Sequence, residues 1–154
     1  MNATAESTFS HPIRIYWEDT DAGSIVYYAN YLKFFERARS EWLRHLGVEQ
    51  GSLLAVEGCM FVVSEAAAKY HRPARIDDLL EVSVHIKHLG QASITLLQTA
   101  WIRAKENTDS APVMACQGTV RLACVCQLDM KPAKIPPRIA ELLASVQSNN
   151  VRTP

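Results

Sequence analysis

The strongest pattern in the chain is a helical repeat between residues 30 and 46. Apolar side chains recur every three or four positions on one stripe: Tyr31, Phe34, Phe35, Ala38, Trp42 and Leu46. Charged side chains lie mainly on the other side, where Arg37 and Glu41 are spaced to form an ion pair. Gly47 follows, at a position where helices commonly end in a left-handed residue. The pattern predicts an amphipathic helix from Asn30 to Leu46, with its aromatic stripe enclosed by a sheet.

Alternating patterns predict strands in most of the remaining chain. Residues 11–17 alternate, with Ile13, Ile15 and Trp17 on the side expected to be buried. After a loop or short helix that ends at Gly58, four more strand-like segments follow: 60–70, 79–89, 92–104 and 113–127. The first of these contains an Ala-rich stretch with high helix propensity. Its place in a series of strands, before the turn-like Arg72-Pro73, favours a strand.

These elements predict one α+β domain over residues 11–147, because 154 residues suit a single domain. Residues 1–10 are predicted to be a disordered leader and residues 148–154 a flexible tail. A short helix is expected from Pro137 to Gln147, with proline in its first turn. One long helix covers only one face of the sheet, and a free edge strand favours self-association. A dimer that continues the sheet is the simplest arrangement.

Composition narrows the function classes. Sixteen basic and sixteen acidic residues cancel, so no excess positive charge supports general nucleic-acid binding. The N-terminal segment lacks the pattern of a secretory signal, and no apolar run reaches the length of a transmembrane helix. The four cysteines form no CxxC pair and are expected to be reduced thiols. Cys124 and Cys126 are interpreted as a buried apolar pair rather than a metal site, and the predicted location is the cytoplasm.

An acidic turn precedes the long helix and is the main candidate for chemistry. Glu18, Asp19 and Asp21 fall within four positions, between the first strand and the helix start. The N-terminus of a helix favours a developing negative charge, and a nearby carboxylate can act as a base or a nucleophile. Ordinary turn and capping chemistry explains the same residue types and is the more common reading. The residue types alone leave both alternatives open.

The order of residues in this region resembles a known signature. Residues 18–39 read EDTDAGSIVYYANYLKFFERAR, and residues 70–82 read YHRPARIDDLLEV. Both stretches resemble hot-dog-fold acyl-CoA thioesterases of the 4-hydroxybenzoyl-CoA thioesterase class, most closely the Tol-Pal-associated acyl-CoA thioesterase branch. The resemblance extends from residue 11 to about residue 130. It implies a hot-dog fold, in which a mainly antiparallel five-stranded sheet wraps the long helix.

The resemblance also implies roles for single residues. Asp21 would be the catalytic carboxylate, acting either as nucleophile or as general base, and the backbone N–H of Tyr28 would polarise the thioester carbonyl. Tyr27 and Asn30 are candidate substrate-binding residues. Asn30 is also expected to cap the helix, to orient the Asp21 loop, or to do both.

The predicted partner is an acyl-CoA substrate, with no cofactor and no metal. Lys87 and His88, at the end of a strand, are candidate contacts for the coenzyme A phosphates. Further candidates, for which a solvated surface is the favoured reading, are Arg72, Arg75, Arg103 and Lys105. The resemblance places the active sites at the interface of a homodimer, with a homotetramer as the larger assembly.

Two positions depart from the signature. Position 28 is commonly His in the Tol-Pal-associated branch but is Tyr here, so a His-assisted mechanism is not expected. Gly23-Ser24 replaces a commoner Gly-Gly, which should keep the turn open. The acyl preference stays open, as does the choice between coenzyme A and acyl carrier protein thioesters. A dehydratase is disfavoured because residues 23–31 lack His, and a non-catalytic lipid-related binding protein is the alternative of a different class.

Overall fold

The computed structural model describes residues 9–106 and 109–150, with the side chain of residue 150 excluded. The elements are β1 (Ser10–Arg14), a 3₁₀ turn (Trp17–Asp19), α1 (Asn30–His45), α2 (Gln50–Glu57), β2 (Cys59–Tyr70), β3 (Leu79–Leu89), β4 (Ser93–Ile102), β5 (Val113–Cys126) and α3 (Pro137–Asn150). The predicted α+β arrangement of one long helix with a five-stranded antiparallel sheet is confirmed.

The sheet has the strand order β1-β3-β4-β5-β2, and every neighbouring pair is antiparallel. The edge strand β2 pairs with β5 over its whole length, from Cys59 opposite Cys126 to Tyr70 opposite Cys116. Its other edge has no strand partner within the described residues. The structure therefore presents the free edge on which a sheet-continuing dimer depends.

Helix α1 packs its aromatic stripe onto one face of this sheet. Phe34, Phe35, Ala38 and Trp42 are buried, which confirms the predicted face. The ring of Phe35 lies so close to β5 that a Cβ atom on Gly118 would be 2.5 Å from its Cε2. The absence of a side chain at position 118 thus sets how closely the helix approaches the sheet.

The C-terminus of α1 has the hydrogen bonds of a Schellman motif. Gly47 has a φ of 86° and donates its N–H to Arg44 O at 2.9 Å. The N–H of Val48 reaches back to Leu43 O at 2.8 Å. These bonds satisfy two carbonyls that a helix end leaves without partners, and they confirm the predicted end of the helix.

A buried polar pair lies between α1 and the sheet. Arg39 donates from Nη1 to Gln98 Oε1 at 3.1 Å, and Gln98 donates from Nε2 to Phe35 O at 2.9 Å. Gln98 is fully buried, and burial lowers the pKa of Arg39. The sequence pattern does not reveal this pair, because Arg39 directly follows the apolar position Ala38 and Gln98 interrupts an apolar strand face.

Several sequence-based boundaries need correction. β1 ends at Arg14, and Trp17 is 80% exposed in the 3₁₀ turn rather than buried on the strand face. Phe9 packs against the core and Ser10 is already in β1, so the predicted leader ends too late; residues 1–8 lie outside the described residues. Helix α3 continues to Asn150, so residues 148–150 do not belong to a tail.

Three smaller predictions have mixed outcomes. Glu41 forms its ion pair with Arg44, three residues later in the helix, instead of with Arg37, four residues earlier. Cys124 is buried as expected whereas Cys126 stays partly exposed, and all four cysteines are free thiols. Within residues 9–106 and 109–150, no helix is long and apolar enough to cross a membrane.

Candidate active site

Asp21 opens a tight turn between β1 and α1. Its N–H donates to Ile25 O at 3.0 Å, and its carbonyl accepts the N–H of Ser24 at 2.9 Å. Its exposed carboxylate accepts the N–H of Gly23 through Oδ1 at 2.8 Å. Among the described residues, Oδ2 has no hydrogen-bond partner. The turn therefore fixes the carboxylate through one oxygen and leaves the other available.

The residues that follow Asp21 have little steric freedom. A Cβ atom on Gly23 would lie 3.1 Å from Asp21 Oδ1, so a larger residue there would crowd the carboxylate. Ser24 has a φ of 61°, in the left-handed region that glycine occupies without strain. This conformation gives a physical reason for the commoner Gly-Gly at this point of the signature.

Asp19 has a structural role in the same loop. Its Oδ2 accepts the N–H of Tyr16 at 2.8 Å, which closes the 3₁₀ turn. Its carbonyl accepts two donors, the N–H of Tyr27 at 2.9 Å and Nδ2 of Asn30 at 2.9 Å. The expectation that Asn30 caps α1 is wrong, because Ala29 is the N-cap and Asn30 lies inside the helix. The Asn30 side chain instead ties the acidic loop to the helix start.

The backbone N–H of Tyr28 is a free donor immediately before α1. Tyr27 O accepts the N–H of Asn30 at 2.9 Å. Since a trans peptide points its C=O and N–H in opposite directions, this bond turns the Tyr28 N–H away from the helix. No acceptor for that N–H exists in the described part of the chain. The donor thus lies at the positive end of the helix dipole, without an acceptor among the described residues.

Four tyrosines form a group beside this donor, which we call the tyrosine cluster: Tyr27, Tyr28, Tyr31 and Tyr70. The ring centroids of Tyr27 and Tyr28 are 4.9 Å apart, those of Tyr28 and Tyr70 6.2 Å, and those of Tyr31 and Tyr70 5.7 Å. Tyr31 is buried, and burial raises its pKa to about 12. The other three rings remain largely exposed and form an aromatic surface between α1 and the end of β2.

Asp21 lies close to this cluster. A hydrogen bond with the Tyr28 side chain raises the pKa of Tyr27, and the negative charge of Asp21 adds to the rise. Asp21 also faces an open depression of about 470 Å³. Its lining residues are Trp17, Glu18, Thr20, Asp21, Ala22, Ser24 and Ile76. In a single chain the carboxylate therefore lies on an open surface.

Lys87 and His88 are not close to Asp21 within one chain. The acidic loop lies near the beginning of β3, where Ile15 N–H donates to Asp78 O at 2.9 Å. Lys87 is eight residues beyond Leu79 on that strand, a distance of about 26 Å. The segment with Arg72 and Arg75 is nearer, because Val26 N–H donates to Ala74 O at 2.9 Å.

Two features of the site were not predicted from the sequence. The hydroxyl of Tyr70 donates to Tyr28 O at 3.0 Å, a contact between residues 42 positions apart. The use of both the carbonyl and the carboxylate of Asp19 is likewise visible only in the folded chain. The motif that contains Tyr70 was a signal for this region, but it does not reveal the hydrogen bond. Among the described residues, no three His, Cys, Asp or Glu side chains lie close enough together to hold a metal ion.

Comparison with known proteins gives consistent matches. The family model of the thioesterase-like superfamily matches residues 15–143. The acyl-CoA thioesterase YbgC of Haemophilus influenzae is 42% identical over 87% of this chain and 93% of its own length. The acyl-CoA thioester hydrolase YbgC of Escherichia coli O157:H7 is 41% identical over 90% of this chain and 96% of its own. The crystal structure of a probable thioesterase from Bartonella henselae aligns with a TM-score of 0.73 and 33% identity, covering 84% of this chain and all of that one.

Proposed function

The chain belongs to the thioesterase-like superfamily, and we propose that it hydrolyses acyl-CoA thioesters to a free acid and coenzyme A. One observation carries the proposal. The Asp21 carboxylate has a free oxygen, the Tyr28 N–H is a free donor, and the hydrogen bonds of one loop hold both. Acyl transfer needs such a pair, a carboxylate and a donor for the oxyanion.

The reaction follows from these two groups. The thioester carbonyl oxygen accepts the Tyr28 N–H, which makes the carbonyl carbon more electrophilic. Asp21 then either attacks that carbon, forming a mixed anhydride that water hydrolyses, or takes a proton from a water molecule that attacks it. In both routes the carbonyl oxygen becomes negative, and the Tyr28 N–H and the dipole of α1 stabilise it. Collapse of the tetrahedral intermediate breaks the carbon–sulfur bond, which yields the mixed anhydride in the first route and the free acid in the second. The departing thiolate takes a proton from water in the first route and from Asp21 in the second.

The free edge of β2 supports a dimer as the active form. β4 and β5 lie between β3 and β2, and each neighbouring pair of these strands is antiparallel. β3 and β2 therefore run in opposite directions, so the end of β3 lies at the same end of the sheet as the start of β2, opposite the end that holds Tyr70. A two-fold dimer joined through β2 pairs the two copies antiparallel, and each start of β2 then lies beside the other's Tyr70 end. The partner's Lys87 and the partner's His88 thus come to the end of the sheet that holds Asp21. We propose that they contact the coenzyme A phosphates from there.

A homotetramer of two such dimers and a cytoplasmic location remain predictions. The proposal covers both aliphatic and aromatic acyl groups, because the exposed rings of the tyrosine cluster are open to either kind of chain in a single protomer.

The test is release of free thiol from a panel of aliphatic and aromatic acyl-CoAs and acyl carrier protein thioesters. We expect the full-length protein to hydrolyse at least one acyl-CoA, and the best substrate will define the acyl class. Activity restricted to carrier-protein thioesters would contradict the choice of coenzyme A. Hydrolysis of no thioester would favour the binding-protein alternative. Mass measurement in solution complements the assay, and a stable monomer would contradict a site shared between two copies.

A further inference from the structure

We propose that Tyr70 is a positioning residue for the hydrolysis: its hydroxyl holds the backbone of Tyr28 so that the Tyr28 N–H stays aimed at the thioester oxygen. The inference rests on the proposed function and adds to it a residue that supports the oxyanion donor from a different strand.

The geometry of Tyr70 fixes the direction of its hydroxyl. Tyr70 is the last residue of β2, and its Oη lies 3.0 Å from Tyr28 O. Its ring stands edge-on to Tyr28, with an interplanar angle of 85°. On another side it contacts the ring of Tyr31, which is only 3% exposed and belongs to the core. A buried ring thus supports the side chain that makes the bond.

The bond acts on the oxyanion donor because of where it falls in the backbone. The φ and ψ angles of Tyr28 relate the peptide plane before it to the peptide plane after it. Asn30 N–H holds the first plane through Tyr27 O, and the Tyr70 hydroxyl holds the second through Tyr28 O. The Tyr28 N–H lies in the first plane, which the Asn30 bond holds directly and the Tyr70 bond restrains only through the φ and ψ angles of Tyr28. Loss of the Tyr70 hydroxyl would free the second plane and leave the first held by the Asn30 bond alone.

The hydroxyl keeps its proton under ordinary conditions. Burial raises the pKa of Tyr70, and the neighbouring Cys116 and Tyr28 add to the rise. Because only the protonated phenol donates to a carbonyl, the bond persists through neutral and mildly alkaline pH.

The decisive variant is Tyr70→Phe, which keeps the ring and removes the donor. We expect kcat to fall about ten- to a hundredfold, the scale of a small misplacement at a reacting centre, while KM stays within about twofold. The midpoint of urea unfolding should change little, because the Tyr70 ring is half-exposed and its ring contacts remain. Tyr16→Phe removes a hydroxyl from an exposed tyrosine outside the cluster and should leave kcat unchanged.

A second measurement does not depend on activity. The backbone 15N order parameters of Tyr28 and Ala29, measured by NMR relaxation, should be lower in Tyr70→Phe than in the wild type and unchanged in Tyr16→Phe. Unchanged order parameters would overturn the proposal.

The kinetic outcomes separate this proposal from the proposed function. A wild-type kcat in Tyr70→Phe, together with an inactive Asp21→Asn, would overturn the role of Tyr70 and leave the thioesterase intact. A rise in KM at unchanged kcat would also overturn it, since that pattern reflects substrate binding alone. If Tyr70→Phe did not fold, the hydrogen bond of the Tyr70 hydroxyl would have a purely structural role, and the positioning role would be overturned. A wild type that hydrolyses no thioester would overturn both proposals.

Discussion

Among the six glycines, Gly118 leaves the least room for an added Cβ atom. It lies in β5 opposite Gln98 on one side and Ala68 on the other, under the ring of Phe35. In Gly118→Ala the new Cβ would lie 2.5 Å from Cε2 and 3.1 Å from Cδ2 of Phe35, and 3.2 Å from Ala67 O. Ordinary carbon–carbon contacts are about 3.5 to 4.0 Å, so the ring must move by about 1 Å.

The magnitude follows from what that movement disturbs. Phe35 is fully buried, and its carbonyl accepts the hydrogen bond from Gln98 at 2.9 Å, so neither the ring nor the helix backbone shifts alone. Overpacking a close-packed core costs about 1 to 3 kcal/mol. Because the clash involves both a rigid aromatic ring and the strand backbone, we expect a loss of about 2 to 3 kcal/mol. This net figure includes the small intrinsic gain of replacing glycine within a strand.

The assay is urea unfolding followed by circular dichroism. The midpoint should fall in Gly118→Ala while the slope with urea stays the same. Gly51→Ala is the matched control, because a Cβ at this position in α2 meets nothing within 4 Å. It should be neutral or stabilise the protein by up to about 1 kcal/mol. If Gly118→Ala were as stable as the wild type, the close approach of α1 to β5 would be wrong.

Two further predictions concern stability. Burial raises the pKa of Tyr31 to about 12 from 10.0 and that of Cys116 to about 12 from 9.0, so above pH 9 the folded state binds more protons than the unfolded state. The free energy of unfolding should therefore fall as pH rises from about 9 to 12. Urea titrations at pH 8 and pH 10.5 would detect this fall. The free energy of unfolding should fall less between these two pH values in Tyr31→Phe. Ser24→Gly should raise the free energy of unfolding by about 1 kcal/mol, because it relieves a left-handed φ of 61°. A lower thermal midpoint in that variant would contradict the strain at Ser24.

The parts of the fold that sequence reasoning predicted correctly are those governed by local periodicity. The stripe from Tyr31 to Trp42 repeats with the helical period, and its face and its end at Gly47 are both confirmed. The predicted bounds of β3 match the structure, because Val82, Val84 and Ile86 alternate with polar residues between clear turns.

The failures share a physical cause, which is competition from contacts that periodicity does not encode. Trp17 continues the alternation of β1, but the Asp19 carboxylate binds Tyr16 N–H and turns the backbone out of the strand. Arg39 is buried because Gln98, 59 residues away, supplies its acceptor.

The candidate site, like the fold, could be predicted from the sequence only in part. The sequence identified Asp21 and Tyr28 as candidates and Asn30 as a residue that could orient the Asp21 loop, but it did not reveal the bonds themselves. Those bonds come from the Asp19 carbonyl, the Asn30 side chain and the Tyr70 hydroxyl, and they exist only once the loop, α1 and β2 have come together.

The central claim is that Asp21 carries the hydrolysis. Asp21→Asn tests it cleanly, since the remaining amide oxygen can still accept the Gly23 N–H that lies 2.8 Å from Asp21 Oδ1. Asp129→Asn is the matched control, because Asp129 Oδ1 accepts the Lys131 N–H, also two residues on, at 3.0 Å in a turn after β5. With the best acyl-CoA of the panel, we expect thiol release by Asp21→Asn to be at least about a hundredfold slower and release by Asp129→Asn to be unchanged. Thiol release by Asp21→Asn at the wild-type rate would contradict the account.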